Sequence, residues 1–232
     1  MDLGRGPLSA PAPASALADR GRSRFITIEG GEGAGKSTQV ALLMSALALA
    51  GIDAIRTREP GGSEGAEAIR HLLLEGADER WDALGEALLL HAARRDHVVR
   101  LIRPALERSQ WVVCDRFADS TIAYQGYGRG LPLADLHALH RIALGEFAPD
   151  LTLVLDLPVE LGLARAAARR EHADRFERLD RAFHERLRQG FLRIASDNPG
   201  RCAIIDAAGE REAVHGAVLA AVAARLGIAI AR

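Results

Sequence analysis

The residues best equipped for chemistry begin at Gly30-Gly31-Glu32-Gly33-Ala34-Gly35-Lys36-Ser37, followed at once by Thr38 and an apolar run. The spacing is G-x-x-x-x-G-K-S between the strand-like FITIE and a helical pattern, the context a phosphate-cradling loop requires. Glycines let a backbone bend its N–H groups inward around a polyphosphate, and the helix opening at Ser37 adds its positive end. A lysine in this place reaches the β- and γ-phosphates, while the Ser37 hydroxyl is the expected ligand of Mg²⁺. Lys36 is the only lysine among 30 Lys and Arg residues, as expected where a compact ammonium is needed and a forked guanidinium would not fit. The segment is read as a nucleoside triphosphate site. The loop alone does not name the reaction. A GTPase would need a guanine-reading Asn-Lys-x-Asp, and the chain has one asparagine, Asn198, and no lysine after Lys36. A mechanical ATPase or an ATP-sensing regulator stays open at this point.

A second group of residues suggests an acceptor site. Glu32 places a carboxylate inside the phosphate loop, where it would repel the ligand; it either points to solvent or accepts a hydrogen bond from a sugar hydroxyl of a second substrate. Thr57-Arg58-Glu59-Pro60-Gly61-Gly62 makes a rigid turn with Arg58 at its edge. Arg94 and Arg95 sit in a long helical pattern whose other face is apolar. Further on, an apolar strand ends in Asp115-Arg116-Phe117 and runs into Ala118-Asp119-Ser120-Thr121-Ile122-Ala123-Tyr124-Gln125. Asp115 is placed for a second, water-mediated contact to Mg²⁺, and Arg116 for a bidentate grip on phosphate. None of the eight histidines has metal-ligand spacing, and no Ser-His-Asp or Cys-His arrangement is evident.

The elements that must hold these residues follow from periodicity. Strands are predicted at 25–29, 52–57, 111–114, 151–156 and 202–206. Helices are predicted at 37–50, 64–75, 84–108, 133–146, 159–169, 180–196 and 210–226. Strands separated by helices predict an α/β fold in three layers, a five-stranded parallel sheet flanked by helices. Ligands of such sheets bind beyond the carboxyl ends of the strands, where the residues above cluster. Residues 1–22, rich in Ala, Pro, Gly and Ser, read as a flexible extension, leaving 23–232 as one domain. With 31 acidic residues against 30 basic ones and a net charge of −1, there is no global attraction to nucleic acid or an anionic membrane. Two cysteines in apolar runs suggest a reducing compartment. No apolar stretch reaches spanning length and no leader pattern is seen, so a cytoplasmic protein is expected.

From Phe25 to Leu226 the sequence resembles the bacterial thymidylate kinases, P-loop nucleoside monophosphate kinases. The resemblance is carried by IEGGEGAGKST, TREPGG, AARRDH, DRFADSTIAYQGYGRG, PDLTLVLDLP and DRFE. It implies transfer of a phosphoryl group from ATP to dTMP, a homodimer, and an Arg-rich lid at about 165–178. By resemblance, Arg58 and Arg116 hold the dTMP phosphate and Glu32 lies near the sugar 3′-hydroxyl. Arg94 and Thr121 read the polar edges of thymine, Tyr124 packs under the deoxyribose, and Ser120 and Gln125 belong to the same pocket. Leu90 stands where the family pattern has a Phe stacked on the base. Ala34 stands where some relatives carry a basic residue, so an extra cation is expected from the lid: Arg169 for the transferring phosphoryl, with Arg165 against adenine. A different monophosphate kinase on the same scaffold is the alternative that Leu90 favours. The set Arg58, Arg94 and Arg116 argues against a regulatory ATPase.

Overall fold

The structure, a computed structural model, describes residues 23–77, 80–168, 176 and 178–228. Five strands form one sheet: β1 (Phe25–Gly30), β2 (Ala54–Arg58), β3 (Trp111–Asp115), β4 (Leu151–Asp156) and β5 (Cys202–Asp206). Their order is β2-β3-β1-β4-β5 and every pairing is parallel, as the alternating pattern predicts. Along β1 the side chains alternate between two cores. Ile26 and Ile28 pack on α1 (Lys36–Leu49) and α9 (Arg211–Leu226), against Leu43, Leu47, Val218 and Val222. Phe25 faces the other side with Val112, Ile102 and Phe117. That second face is also covered by α8 (Arg181–Asp197) through Phe183, Leu187 and Phe191. Helices on both faces make the three layers. Burial of both faces explains why β1, β3 and β4 read as nearly continuous apolar runs.

The remaining helices are α2 (Glu64–Leu74), α3 (Ala83–His97), α4 (Arg103–Glu107), α5 (Ala118–Thr121), α6 (Leu133–Leu144) and α7 (Val159–Ala168). Two predictions need correction, and one unassigned stretch is filled. β2 starts at Ala54 rather than 52, because the Ile52 N–H closes the end of α1 on Leu47 O at 2.9 Å. The helix predicted over 84–108 is α3 and α4 joined by a π-wound turn, Val98–Ile102. Pro104 has no N–H for the helical ladder and its ring crowds the preceding turn, which widens. The stretch after β3, to which periodicity assigns no element, is α5 continued by a π-wound segment, Ile122–Gly128. The predicted extension 1–22 and part of the predicted lid, 169–175 and 177, lie outside the described residues.

Candidate active site

The phosphate loop leaves β1 and enters α1 through Gly35, which caps the helix from the left-handed region at φ 87°. Gly33, at φ 68°, passes so close to α7 that a Cβ there would fall 2.0 Å from Gly162 O. Only glycine fits. Lys36 is buried and its Nζ donates to Gly31 O at 2.7 Å. Burial, with the charge of Arg116, pulls its pKa below the ordinary lysine value.

Glu32 turns inward, not to solvent. Its Oε1 accepts from Arg116 Nη2 at 2.8 Å and from the Tyr124 hydroxyl. Burial would raise its pKa, but Arg116, Lys36 and the Tyr124 hydrogen bond prevail and hold it at about 2. Arg116 itself sits at φ 67°, in the left-handed region that a non-glycine residue adopts at a cost of roughly 1–3 kcal/mol. That turn points its guanidinium back across the sheet: Nη1 donates to Gly30 O at 3.0 Å and to Ser120 Oγ at 3.3 Å. Burial works against its charge, but Tyr124, Glu32 and Asp115 raise its pKa above that of a free arginine. The Tyr124 ring lies under the guanidinium, 5.0 Å from centroid to Cζ.

A cavity of ≈ 260 Å³ opens beside the loop at the carboxyl ends of β1, β2 and β3. Into its wall α3 presents Leu90 and, one turn on, Arg94. Arg94 is buried. Its Nε donates to Glu59 Oε2 at 2.7 Å, and its Nη2 to Thr121 Oγ1 at 2.9 Å and Phe117 O at 3.2 Å. Its Nη1 has no hydrogen-bond partner among the described residues. α5 and the π-wound segment that continues it present Thr121, Tyr124 and Gln125 to the cavity. Gln125 Nε2 donates to Glu86 Oε2 at 3.0 Å, and its buried Oε1 has no partner among the described residues. Because a carboxylate only accepts, the amide must point its nitrogen at Glu86 and its oxygen elsewhere.

Ser37 and Asp115 line the same cavity, a hydroxyl and a carboxylate. Among the described residues no cluster of three or more His, Cys, Asp or Glu could cage a metal. One carboxylate and a hydroxyl suit Mg²⁺, which keeps several waters and takes its other ligands from phosphates.

The cavity thus gathers Glu32, Gly33, Gly35, Lys36 and Ser37 of the loop with Arg58, Leu90, Arg94, Asp115, Arg116, Ser120, Thr121, Tyr124 and Gln125. Gly30, Gly31, Ala34 and Thr38 belong to the loop and helix start without lining it. Arg58 is half exposed and paired with Glu67 at 3.0 Å. Arg165 does not line it either; its guanidinium spans Ala207 O and Ala208 O at 3.0 and 3.2 Å. Arg169 lies outside the described residues. Unforeseen in the sequence are Arg70, whose Nη1 donates to Pro60 O at 2.7 Å, and Leu74 and Phe176, which join the lining. Phe176 meets Tyr124 edge to face at 5.5 Å. Their only local signal is an amphipathic helix for the first two; for Phe176 it is the DRFE segment. Also unforeseen is the chain behind Arg94: Glu59 Oε1 meets His97 Nδ1 at 3.0 Å, and His97 Nε2 meets Thr57 Oγ1 at 2.7 Å.

An all-parallel sheet, a glycine-rich loop entering a helix, and a facing pocket lined by arginines define a P-loop phosphotransferase with a built acceptor site. Comparison narrows the class. The sequence profile of the thymidylate kinase family matches residues 28–218. A thymidylate kinase of Caulobacter vibrioides is 57% identical over 88% of this chain and 98% of its own. One from Rhizorhabdus wittichii is 53% identical over 86% and 97%. The crystal structure of thymidylate kinase from Ehrlichia chaffeensis superposes with a TM-score of 0.71 at 35% identity, covering 87% of this chain and 99% of that one. The chain belongs to the thymidylate kinase family.

Proposed function

We propose that this protein transfers the γ-phosphoryl group of ATP to dTMP, giving ADP and dTDP, by in-line attack of a dTMP phosphate oxygen. The observation that carries the reading is the joining of two phosphate-facing devices, the Lys36 loop and Arg116, through Glu32. The acceptor oxygen is already anionic near neutral pH, so no general base is required. The protein's task is electrostatic: two polyanions are brought together and the charge on the moving phosphoryl is offset. Lys36 and the loop N–H groups take the β- and γ-phosphates. Arg116 and Arg58 take the dTMP phosphate, and Arg169 of the lid reaches the phosphoryl in flight. Glu32 fixes Arg116 and meets the sugar 3′-hydroxyl, while Arg165 lies against adenine. Ser37 and Asp115 would hold Mg²⁺, which brings positive charge to the β- and γ-oxygens when bound.

Base reading rests on two buried atoms. Arg94 Nη1 is a donor for a thymine carbonyl and Gln125 Oε1 an acceptor for an N–H; Thr121 keeps its hydroxyl proton for a second contact, since its oxygen accepts from Arg94. Leu90 covers the base face, and Tyr124 packs under the deoxyribose and disfavours a 2′-hydroxyl. Residues 23–232 form one domain, and the protein acts as a cytoplasmic homodimer. Supporting a helix-face dimer, Leu72 of α2, Leu84 and Leu88 of α3 and Ile142 of α6 are left exposed. Among the described residues no helix is long and apolar enough to cross a membrane.

The test is ADP formation from Mg-ATP with dTMP, dUMP, UMP, CMP, AMP and GMP offered separately. Strong turnover with dTMP, less with dUMP and little elsewhere is expected. Preference for another monophosphate would overturn the base-reading residues. ADP formed equally fast with no acceptor would overturn the transfer itself.

A further inference from the structure

Glu29, the residue before the phosphate loop, is fully buried and takes no part in the mechanism above. It shares a face of β1 with Phe25 and Thr27, pointing toward α5. Its Oε1 accepts from the Phe117 backbone N–H at 2.7 Å, and its Oε2 from the Ser120 hydroxyl at 2.6 Å. These two donors open the helical segment that carries Thr121, Tyr124 and Gln125, and they follow directly on the left-handed turn of Arg116. Ser120, having given its proton to Glu29, turns a lone pair to Arg116 Nη1 at 3.3 Å.

We propose that Glu29 is a positioning residue that couples the phosphate loop to the acceptor grip, its carboxylate fixing the Phe117–Ser120 turn and, through Ser120, the direction of Arg116. This rests on the reading of Arg116 as a dTMP phosphate ligand. The chemistry requires a carboxylate and not an amide or acid. Both Glu29 oxygens must accept, and only the ionised group accepts at both. A proton on Glu29, or an amide in its place, sets a new donor against Ser120. The hydroxyl then loses its acceptor, its own proton must turn elsewhere, and its oxygen no longer holds a fixed lone pair toward Arg116.

The surroundings poise that proton. Burial, and then Asp119, raise the Glu29 pKa to about 7, against the Ser120 hydroxyl, Arg116 and the Phe117 N–H. Asp119 is itself held by Arg201, at 2.6 and 2.8 Å. The other titratable groups that feel Glu29 are Lys36 of α1, Cys114 of β3 and Cys202 of β5. Acceptor binding therefore weakens as pH falls through neutrality.

The experiment measures kcat and both KM values for wild type, Glu29→Gln, Ser120→Ala and Arg116→Ala between pH 6 and 9, with melting temperatures. The Gln variant mimics the protonated group at every pH. Its KM for dTMP is expected to be about tenfold above wild type at pH 8, the scale of one charge-assisted hydrogen bond, with KM for ATP held and the melting temperature not lowered. The ratio of the two proteins' KM for dTMP then falls toward one as pH drops below about 7; the phosphate's own ionisation near ~6 acts on both and cancels. Ser120→Ala should reproduce the rise and lose the same pH dependence. A ratio near one at all pH values overturns the proposal, as does a pH-independent ratio. So does a parallel rise in both KM values with a lower melting temperature, which would mark Glu29 as merely structural. If Arg116→Ala leaves KM for dTMP unchanged, the reading of Arg116 falls first.

Discussion

Arg116 Nη2 donates to Glu32 Oε1 at 2.8 Å, tying the end of β3 to the middle of the phosphate loop. A carboxylate in a phosphate site looks misplaced. Here it offsets one guanidinium and, with Tyr124, fixes where that guanidinium points. Glu32→Gln removes the charge but keeps the shape. We expect kcat/KM for dTMP to fall about a hundredfold, about 2.7 kcal/mol at the transition state, with ATP binding by the isolated protein little changed. Unaltered kcat/KM in steady-state assays would reduce Glu32 to a packing role.

Leu90 can cover thymine but not stack on it. Leu90→Phe restores a ring in that wall, where an aromatic pair adds roughly 0.5–1.5 kcal/mol. The expected result is a KM for dTMP lower by up to about tenfold, with dUMP gaining equally because the same face is covered. Should KM rise, the wall is too tight for the ring and Leu90 does not face the base.

Behind Arg94, in the chain Thr57–His97–Glu59, His97 and Glu59 are buried and Thr57 partly so. His97→Leu leaves Glu59 one donor short, and an unpaired buried acceptor costs about 1–3 kcal/mol. Denaturant titration should show that loss. Kinetics should show a higher KM for dTMP at constant KM for ATP, because Arg94 touches only the acceptor pocket. Equal effects on both substrates would speak against a role through Arg94.

Two buried groups give stability opposite slopes with pH. Glu29, raised to about 7 from 4.5 chiefly by burial, binds its proton more tightly folded than unfolded. Its contribution therefore falls as pH rises from 4.5 to about 7. His91, lowered to about 4 from 6.5 by burial and by Arg94, stays neutral when folded; its contribution is lost as pH falls from 6.5 to about 4. Between 4.5 and 6.5 they oppose each other. Equilibrium unfolding across that window should slope upward with pH in Glu29→Gln and downward in His91→Phe, each relative to wild type. Parallel curves for all three proteins would contradict both shifts.

At Gly162 of α7, a Cβ would fall 2.4 Å from Glu32 O, a backbone atom of the phosphate loop. Gly162→Ala must therefore displace the loop or the helix, although it raises intrinsic helix propensity. ATP affinity by titration calorimetry is expected to fall while the far-UV spectrum is kept. An unchanged affinity would mean that the helix gives way instead.

Much of this protein is determined locally and is legible in the chain. The loop from Gly30 to Ser37 needs particular residues at fixed spacing because backbone N–H groups and one ammonium do the binding. Strand–helix alternation appears because strands buried on both faces must be apolar while their covering helices are amphipathic. Both follow from neighbours in sequence. The tertiary structure decided what depends on residues far apart. Glu32 could have faced solvent until Arg116 and Tyr124, more than 80 positions on, met it. The helical turn carrying Thr121, Tyr124 and Gln125 was hidden because it is short and π-wound, and is held at its start by a carboxylate from β1. Arg70 joins the site only because α2 folds back on the Pro60 carbonyl. Local periodicity reports which face of an element is buried; it does not report which distant charge that face will meet, and at this site those charges set the chemistry.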